Sequence, residues 1–262
     1  MKTIKTSLIT GGASGLGYEF ALLLGKNWYQ LILIDIDSDQ LEIVKQELEN
    51  NFQIKVNTIT KDLSLQNSAA ELFEELKGNS IDVLINNAGF GLFGPFYNTN
   101  WERELSMLNL HVVTTTHLTK LLLDGMIKRG KGKILNISSL AAFQSGPLMA
   151  IYYASKAYIL SFSEAIANEL KGTGVTVTVL CPGQTKTSFQ EVVSEVNKTN
   201  KISFNIATAS KVAEYGYKAM MRGKTLAIPG VTNKILSFLP RILPRKIATA
   251  IVRKIQEKNR EL

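Results

Sequence analysis

The sequence predicts an α/β fold: a parallel sheet of about seven strands with helices on both faces and a helical extension at the C-terminus. Three observations predict it. Short β-branched runs alternate with longer segments of helical spacing from residue 6 to residue 181, the texture of successive strand–helix–strand units. Several runs are apolar at consecutive positions, such as Leu31-Ile32-Leu33-Ile34, as strands covered on both faces require. A glycine-rich segment, Thr10–Gly17, joins the first run to the first helical segment.

Taken in order, the strand-like runs are Thr6–Thr10, Gln30–Asp35, Ile54–Ile59, Ile81–Asn86, Lys133–Ser138 and Val175–Cys181, with Thr225–Pro229 as a last strand. The intervening helical segments are Leu16–Asn27, Asp39–Asn51, Leu65–Lys77, Trp101–Arg129 and Ile151–Lys171. Thr185–Ala207 follows Pro182-Gly183 and mixes polar residues with Phe189, Val192, Val193, Ile202 and Phe204. It reads as a loop or short-helix flap. Beyond it, Ile235–Ile255 carries apolar residues at helical intervals, and Pro240 and Pro244 divide it into two short helices.

With 262 residues, 45% hydrophobic and 20% charged, the chain has an ordinary globular composition and can bury a large core without metals or disulfides. Its single cysteine, Cys181, excludes an internal disulfide and fits a reducing compartment. The N-terminus passes from a short apolar run straight into the glycine turn, without the longer apolar region of a signal peptide. No stretch of about 18 apolar residues suggests a spanning helix. The expected location is the cytoplasm.

The glycines of Thr10-Gly11-Gly12-Ala13-Ser14-Gly15-Leu16-Gly17 allow a sharp turn and let a pyrophosphate approach backbone that no Cβ obstructs. The helix that follows offers free N–H groups to the phosphates. The second strand ends in Asp35, near the spacing at which a carboxylate accepts hydrogen bonds from the ribose hydroxyls. Ile36 follows it, Ser14 precedes Gly15, and Asp37 adds negative charge. No basic side chain is placed to meet a 2′-phosphate, so NAD is favoured over NADP. Asp35 could instead cap the next helix, but Ser38 reads as the better cap.

Further along, Tyr152 and Lys156 stand four apart on a predicted helix, so both side chains meet on one face. A free phenol titrates near pKa 10, and a neighbouring ammonium is expected to lower that value. Tyr153, three residues from Lys156, is the rival. Ser139 follows the strand Lys133–Ser138, at the carboxyl edge where open parallel sheets bind ligands. His111 and His117, the only histidines, are six apart on one helix and face different ways. They suggest no metal site and are given no catalytic role.

TGGASGLG, Asp62-Leu63, Asn86-Asn87-Ala88-Gly89, Asn109, Ser139, Tyr152-x-x-x-Lys156 and Pro182-Gly183-x-x-x-Thr187 occur in the order seen in the short-chain dehydrogenase/reductase superfamily, which the chain resembles from Thr10 to Thr187. The resemblance implies a Rossmann-type doubly wound sheet and hydride transfer between a nicotinamide dinucleotide and a carbonyl or alcohol. It implies that Tyr152 acts as general acid/base and that Ser139 hydrogen-bonds the substrate oxygen. Asn109 would hold a water linking Lys156 to solvent. Gly11, Ser14, Gly15, Leu16, Gly17, Asp35, Asp62, Leu63, Asn87, Ala88 and Gly89 are then the cofactor residues, with Tyr152, Lys156, Pro182, Gly183, Thr185 and Thr187 beside the nicotinamide. Family members are commonly dimers or tetramers, so a homodimer or homotetramer is expected. Residues 1–230 read as the dinucleotide-binding catalytic domain and 231–262 as its basic amphipathic extension.

Phe90, Phe93, Leu140, Phe143, Met149 and Phe189 surround the expected reacting carbon and suit a hydrophobic substrate. The formal net charge is +8, and Arg241, Arg245, Lys246, Arg253, Lys254, Lys258 and Arg260 meet only Glu257 and Glu261. Such a tail permits docking on an anionic membrane surface, but packing on the domain or on a second subunit is favoured. No aromatic residues interleave with the basic ones, so nucleic acid is not expected. The rival function is a redox sensor or scaffold that binds the dinucleotide without turnover, against which the Ser139, Tyr152 and Lys156 set argues.

Overall fold

The computed structural model describes residues 5–186 and 207–260. Seven parallel strands form one sheet in the order β3-β2-β1-β4-β5-β6-β9. They are β1 (Thr6–Thr10), β2 (Gln30–Asp35), β3 (Val56–Thr60), β4 (Val83–Asn86), β5 (Gly132–Ile137), β6 (Val175–Leu180) and the short β9 (Leu226–Ala227). A separate parallel pair joins β7 (Thr185–Lys186) to β8 (Ala207–Thr208). The chain first builds outward from β1 through β2 to β3, then returns to lay β4 against the other side of β1. That reversal opens a crevice at the carboxyl ends of β1 and β4, the position where doubly wound sheets bind ligands.

Alternation along the strands sends each side chain to one of two cores. Ile9, Leu31, Leu33, Ile85 and Leu135 meet α1 (Gly15–Lys26), α2 (Ser38–Phe52) and α7 (Ala209–Met221). Leu8, Ile32, Ile34, Leu84 and Ile134 meet α3 (Ser68–Glu75) and α5 (Thr115–Lys128) on the other side. The end of α6 (Ala150–Glu169) and the residue after it add Ile166 and Leu170 to that second core. Because both faces are covered, the central strands have no solvent-facing side, which explains their mostly apolar runs. Phe20 is fully buried between the sheet and α7. Gly216 lets α7 approach it, since a Cβ there would meet Leu180 at 2.7 Å and Phe20 at 3.1 Å.

Three features differ from the sequence expectation. The segment Trp101–Arg129 is not one regular helix: α4 (Trp101–Leu108) and α5 are joined by a π-helical stretch, Asn109–Thr114. Helix α7 was not anticipated ahead of the last strand, and most of the expected flap, residues 187–206, lies outside the described residues. The cap of α2 is Asp37, whose side chain accepts from Gln40 N at 3.0 Å, whereas Ser38 is already the first helical residue. Asp37 wins because its extended backbone (φ −91°, ψ 93°) aims its carboxylate at the free amides of the first turn.

The C-terminal extension is helical as expected and broken at the prolines. It comprises α8 (Val231–Phe238), a 3₁₀ turn at Leu239–Arg241, and α9 (Arg245–Arg260). Asn233 of α8 lies against Gly183, where a Cβ would come within 2.9 Å of its Oδ1. On α9, Ala248 and Val252 are buried, and Gln256 Nε2 donates to Tyr153 Oη at 2.7 Å.

Candidate active site

Hydrogen bonds from Thr10 and Asn87 clasp the crevice shut at its floor. Thr10 Oγ1 accepts from the amides of Asn87 and Ala88, both at 3.0 Å. Asn87 Nδ2 returns two bonds, to Thr10 O at 3.0 Å and Gly11 O at 2.9 Å. The turn after β1 is thereby fixed against the turn after β4. Gly11 (φ +66°) and Gly15 (φ +55°) adopt left-handed backbone that favours glycine. Gly17 has no room for a side chain, since a Cβ would fall 1.9 Å from Gly11 O.

The N-terminus of α1 points out of this turn with no acidic residue in its first turn, so its amides and partial positive charge face the crevice unopposed. Asp35 closes the other side. Its Oδ2 accepts from Ala13 N at 3.0 Å and its Oδ1 from Ile36 N at 2.8 Å, which holds the carboxylate at the end of β2 beside the glycine turn. A side-chain-free cradle, an open helix N-terminus and an adjacent carboxylate are the parts a dinucleotide requires, so the residues present fit that cofactor.

Further out, Asp62 is exposed and accepts from Ser64 N and Ser64 Oγ at 2.8 and 2.7 Å. Leu63 is buried, and its carbonyl accepts from Ser68 Oγ and Thr114 Oγ1. On the opposite side, Leu140 N donates to Pro182 O at 2.9 Å, and Thr185 Oγ1 donates to Gly183 O at 3.1 Å. Thr187 and Phe189 lie outside the described residues.

Ser139 caps a 3₁₀ turn, Leu140–Phe143, and its Oγ accepts from Ala141 N at 3.1 Å. A side-chain hydrogen bond joins it to Tyr152 on α6. Lys156, one turn on, is buried and donates to Ile137 O at 3.0 Å, with its Nζ 5.7 Å from the centre of the Tyr152 ring. Ser139, Tyr152 and Lys156 thus converge at the carboxyl end of β5.

The expected lowering of the Tyr152 pKa is not what this arrangement produces. Burial pushes the phenol up to about 12; the bond from Ser139 pulls the other way and the neighbouring Tyr153 adds a smaller upward push. The Lys156 ammonium is turned toward a carbonyl rather than the phenol oxygen, and burial lowers it to about 8. In the unliganded chain the tyrosine is therefore a neutral hydroxyl at physiological pH, in the proton-donor form. Tyr153 is no rival at this centre. Its hydroxyl accepts from Gln256 and its ring lies against Gly146, about 100° round α6 from Tyr152 and edge-on to that ring at 6.1 Å.

His111 is the residue the sequence reading missed. It falls within the π-helical stretch and is 1% exposed, with its ring 6.0 Å from that of Tyr152 in an edge-on arrangement. Its Nε2 accepts from Phe90 N at 3.2 Å, and its Nδ1 lies 2.9 Å from Ser155 Oγ. Because Ser155 Oγ donates to Tyr152 O at 2.8 Å, the Ser155 oxygen must accept from the imidazole. The tautomer is thus fixed with the proton on Nδ1. Burial, with a smaller push from the Lys156 charge, holds the ring well below its usual pKa. It is neutral and moves no proton. Its effect is positional: it ties the loop after β4 to the backbone of Tyr152. Nothing in its spacing from Tyr152 could have revealed this, but Gly89 is a signal in retrospect, because a Cβ there would lie 2.6 Å from His111 Nε2. Asn109 opens the same π-helical stretch, a kind of helix irregularity that is frequent at functional sites.

Of the six apolar residues expected around the substrate, the five that are described do not form one wall. Phe90 lies under the Arg103 guanidinium at 4.5 Å and beside His111. Leu140, partly buried like Phe143, packs against a satellite core of Ile159, Leu160, Val179, Cys181 and Ile228. Met149 is buried at the entrance to α6, and Phe93 is half-buried in the loop after β4. Phe143 lines a cleft of about 780 Å³ bounded by Ala150, Tyr153 and Ala157 of α6 and by Arg241, Arg245 and Ala248 of the extension. Neither Tyr152 nor Lys156 lines it, so this cleft backs onto the reactive centre from behind.

Comparison with known proteins gives a consistent result. The family model for short chain dehydrogenase matches residues 5–198. The very-long-chain 3-oxoacyl-CoA reductase of Mus musculus is 30% identical over 247 residues, covering 92% of this chain and 77% of that protein. The hydroxysteroid dehydrogenase-like protein 1 of Gallus gallus is 29% identical over 235 residues, covering 88% and 70%. Among solved structures, a short-chain dehydrogenase from Sphingobium yanoikuyae in complex with NADPH superposes with a TM-score of 0.81 at 24% identity, covering 92% of this chain and 97% of that one.

Two predictions follow from the site geometry. Replacing His111 with Leu strands the Phe90 amide and frees the Ser155 hydroxyl, costing about 1–3 kcal/mol of stability. Turnover should fall more than KM changes while the pH profile keeps its shape, and His111→Gln should recover part of the loss; steady-state kinetics and thermal melting check this. Carbonyl reduction should decline as pH rises through about 8, because Lys156 loses its charge there while Tyr152 stays protonated up to about 12. Lys156→Arg, which stays charged, should remove that descending limb from a plot of kcat/KM against pH.

Proposed function

Because the chain belongs to the short-chain dehydrogenase family, we propose that it is an NAD(H)-dependent oxidoreductase of a hydrophobic ketone or secondary alcohol, with Tyr152 giving and taking the proton. The observation that carries this reading is the convergence of Tyr152, Ser139 and Lys156 beside the glycine cradle, at one edge of the sheet.

The bound dinucleotide supplies or accepts the hydride, and the chain does the rest. Ser139 shares its hydrogen bond with Tyr152, so a carbonyl oxygen set between them would accept from both hydroxyls. As charge grows on that oxygen, the Ser139 donor stabilises it and Tyr152 delivers its proton. Lys156 stands close enough for its ammonium to favour the resulting phenolate. In alcohol oxidation the same groups act in reverse. A sensor that only binds would gain nothing from burying a lysine beside a tyrosine at this cost in solvation.

The preference for NAD over NADP rests on Asp35. Its carboxylate stands where the adenosine ribose lies in folds of this type, and a 2′-phosphate there would meet a like charge. The hydrophobic substrate class rests on Phe90, Phe93 and Met149 in the loops next to Ser139 and Tyr152. It also rests on the relatives, whose names point to long-chain oxoacyl and steroid compounds.

Tyr152→Phe should cut turnover by about 10²-fold or more while the affinity for NADH, followed by fluorescence titration, changes little. Retained turnover would remove Tyr152 from the chemistry, and a parent protein inactive on a panel of ketones would favour the sensor. NADH should bind more tightly than NADPH. Asp35→Ala should narrow that difference by about tenfold, the worth of one charge–charge clash near 1.4 kcal/mol. An unchanged ratio would refute the role given to Asp35.

A further inference from the structure

The extension does not pack all round. In α9 the buried positions Ala248 and Val252 take one side, while Ile247, Ile251 and Ile255, spaced four apart, form a stripe that is about half exposed. In α8 and the turn after it, Val231, Ile235 and Ile242 are 73%, 62% and 66% exposed, with Leu236, Phe238 and Leu239 also open to solvent. Apolar groups of this size scattered singly over a surface need no explanation. Gathered within 25 residues of chain they do.

Charge accompanies them. Residues 231–262 hold eight basic side chains against two acidic ones, and so carry six of the eight net positive charges of the whole chain. Lys254 and Lys258 fall on the same side of α9 as the isoleucine stripe, whereas Lys246 and Arg253 point away from it, Arg253 bonding Glu257 at 2.7 Å. The extension therefore combines an exposed apolar stripe with long cations that can reach past it, the pattern of a helix lying in a lipid–water interface.

We propose that α8 and α9 form a docking surface for an anionic membrane, with the isoleucine stripe entering the headgroup boundary and the lysines and arginines pairing with acidic headgroups. Two arguments select this occupant over a second copy of the chain. A symmetric pairing would set each basic extension against its own like charges, whereas an anionic bilayer neutralises them at about 1 kcal/mol per cation near the surface. Protein interfaces also exclude charged residues from their apolar centres, yet here Lys254 and Lys258 lie within the stripe. The contact is peripheral: among the described residues no helix is long and apolar enough to cross a membrane. The extension also borders the cleft behind α6, where Arg241 and Arg245 stand at its wall.

The test is flotation of the full chain with vesicles of phosphatidylcholine alone and of phosphatidylcholine with phosphatidylglycerol. Binding should appear with the anionic vesicles and weaken as salt is raised. Lys254→Glu/Lys258→Glu should reduce it by about tenfold or more, and Ile247→Ser/Ile251→Ser/Ile255→Ser by a similar factor. Circular dichroism should show both variants folded, with NADH affinity unchanged. Absence of binding to anionic vesicles overturns the proposal, as does binding that neither variant weakens. Sedimentation equilibrium gives a further refuting result: a dimer that the isoleucine variant dissociates, in a protein that ignores vesicles, would assign the stripe to a second copy.

Discussion

The site depends first on the clasp between Thr10 and Asn87. A doubly wound sheet gains its ligand crevice by reversing direction, and at that point the loops leaving β1 and β4 diverge to opposite faces. Without a tie, the crevice floor would be two independent turns. Four hydrogen bonds from two side chains join them, and each bond satisfies a main-chain group that the turns leave without a ladder partner. The glycines follow from this closeness: Asn87 Nδ2 stands 2.8 Å from where a Cβ on Gly11 would be and 2.7 Å from one on Gly17. The cradle is narrow because the clasp is there.

A second polar tie lies beneath it. Asn86 donates to Asn136 at 2.8 Å and to Thr119 at 3.0 Å, and Asn136 donates to Ser163 at 2.9 Å. The chain of bonds runs from α5 across β4 and β5 to α6, through a region that is otherwise apolar. Each of these groups is buried, so any one left unpaired would cost the full desolvation of an amide or hydroxyl. The network thereby sets the register of α6 against the sheet, and with it the height at which Tyr152 and Lys156 stand above β5.

Much of this was legible in the sequence because it is local. Strands β1 and β2 were read to the residue, and the glycine turn, Asp35 and the Tyr152/Lys156 pair declare themselves by spacing along a single turn or helix. What escaped depends on contacts between distant segments. His111 draws its partners from Phe90, 21 residues away, and Ser155, 44 away, and the π-helical stretch that carries it has no signature in apolar periodicity. The direction of the Tyr152 shift was misread for a related reason. Spacing reveals that a lysine is near, but burial of the phenol and the turning of the Lys156 ammonium to Ile137 O are properties of the packed core. Leu140 and Phe143 both pack partly buried against the satellite core, a setting that an apolar residue in a loop does not announce.

Helix α6 makes one further connection between the reactive centre and the extension. Tyr152 and Tyr153 are adjacent and chemically alike, yet the 100° between successive helical residues sends them to different work. Tyr152 turns toward Ser139, and Tyr153 turns to the neighbouring side of the helix, where its hydroxyl accepts from Gln256 of α9. The reactive face of α6 can be kept stiff only if its other face is held, and on that side the described partners are the loop before the helix, through Gly146, and the extension itself. A force that seats or lifts α9 would therefore be felt first at Tyr153, one residue from the proton donor. The extension that carries the exposed isoleucines is in this sense part of the scaffold of the site.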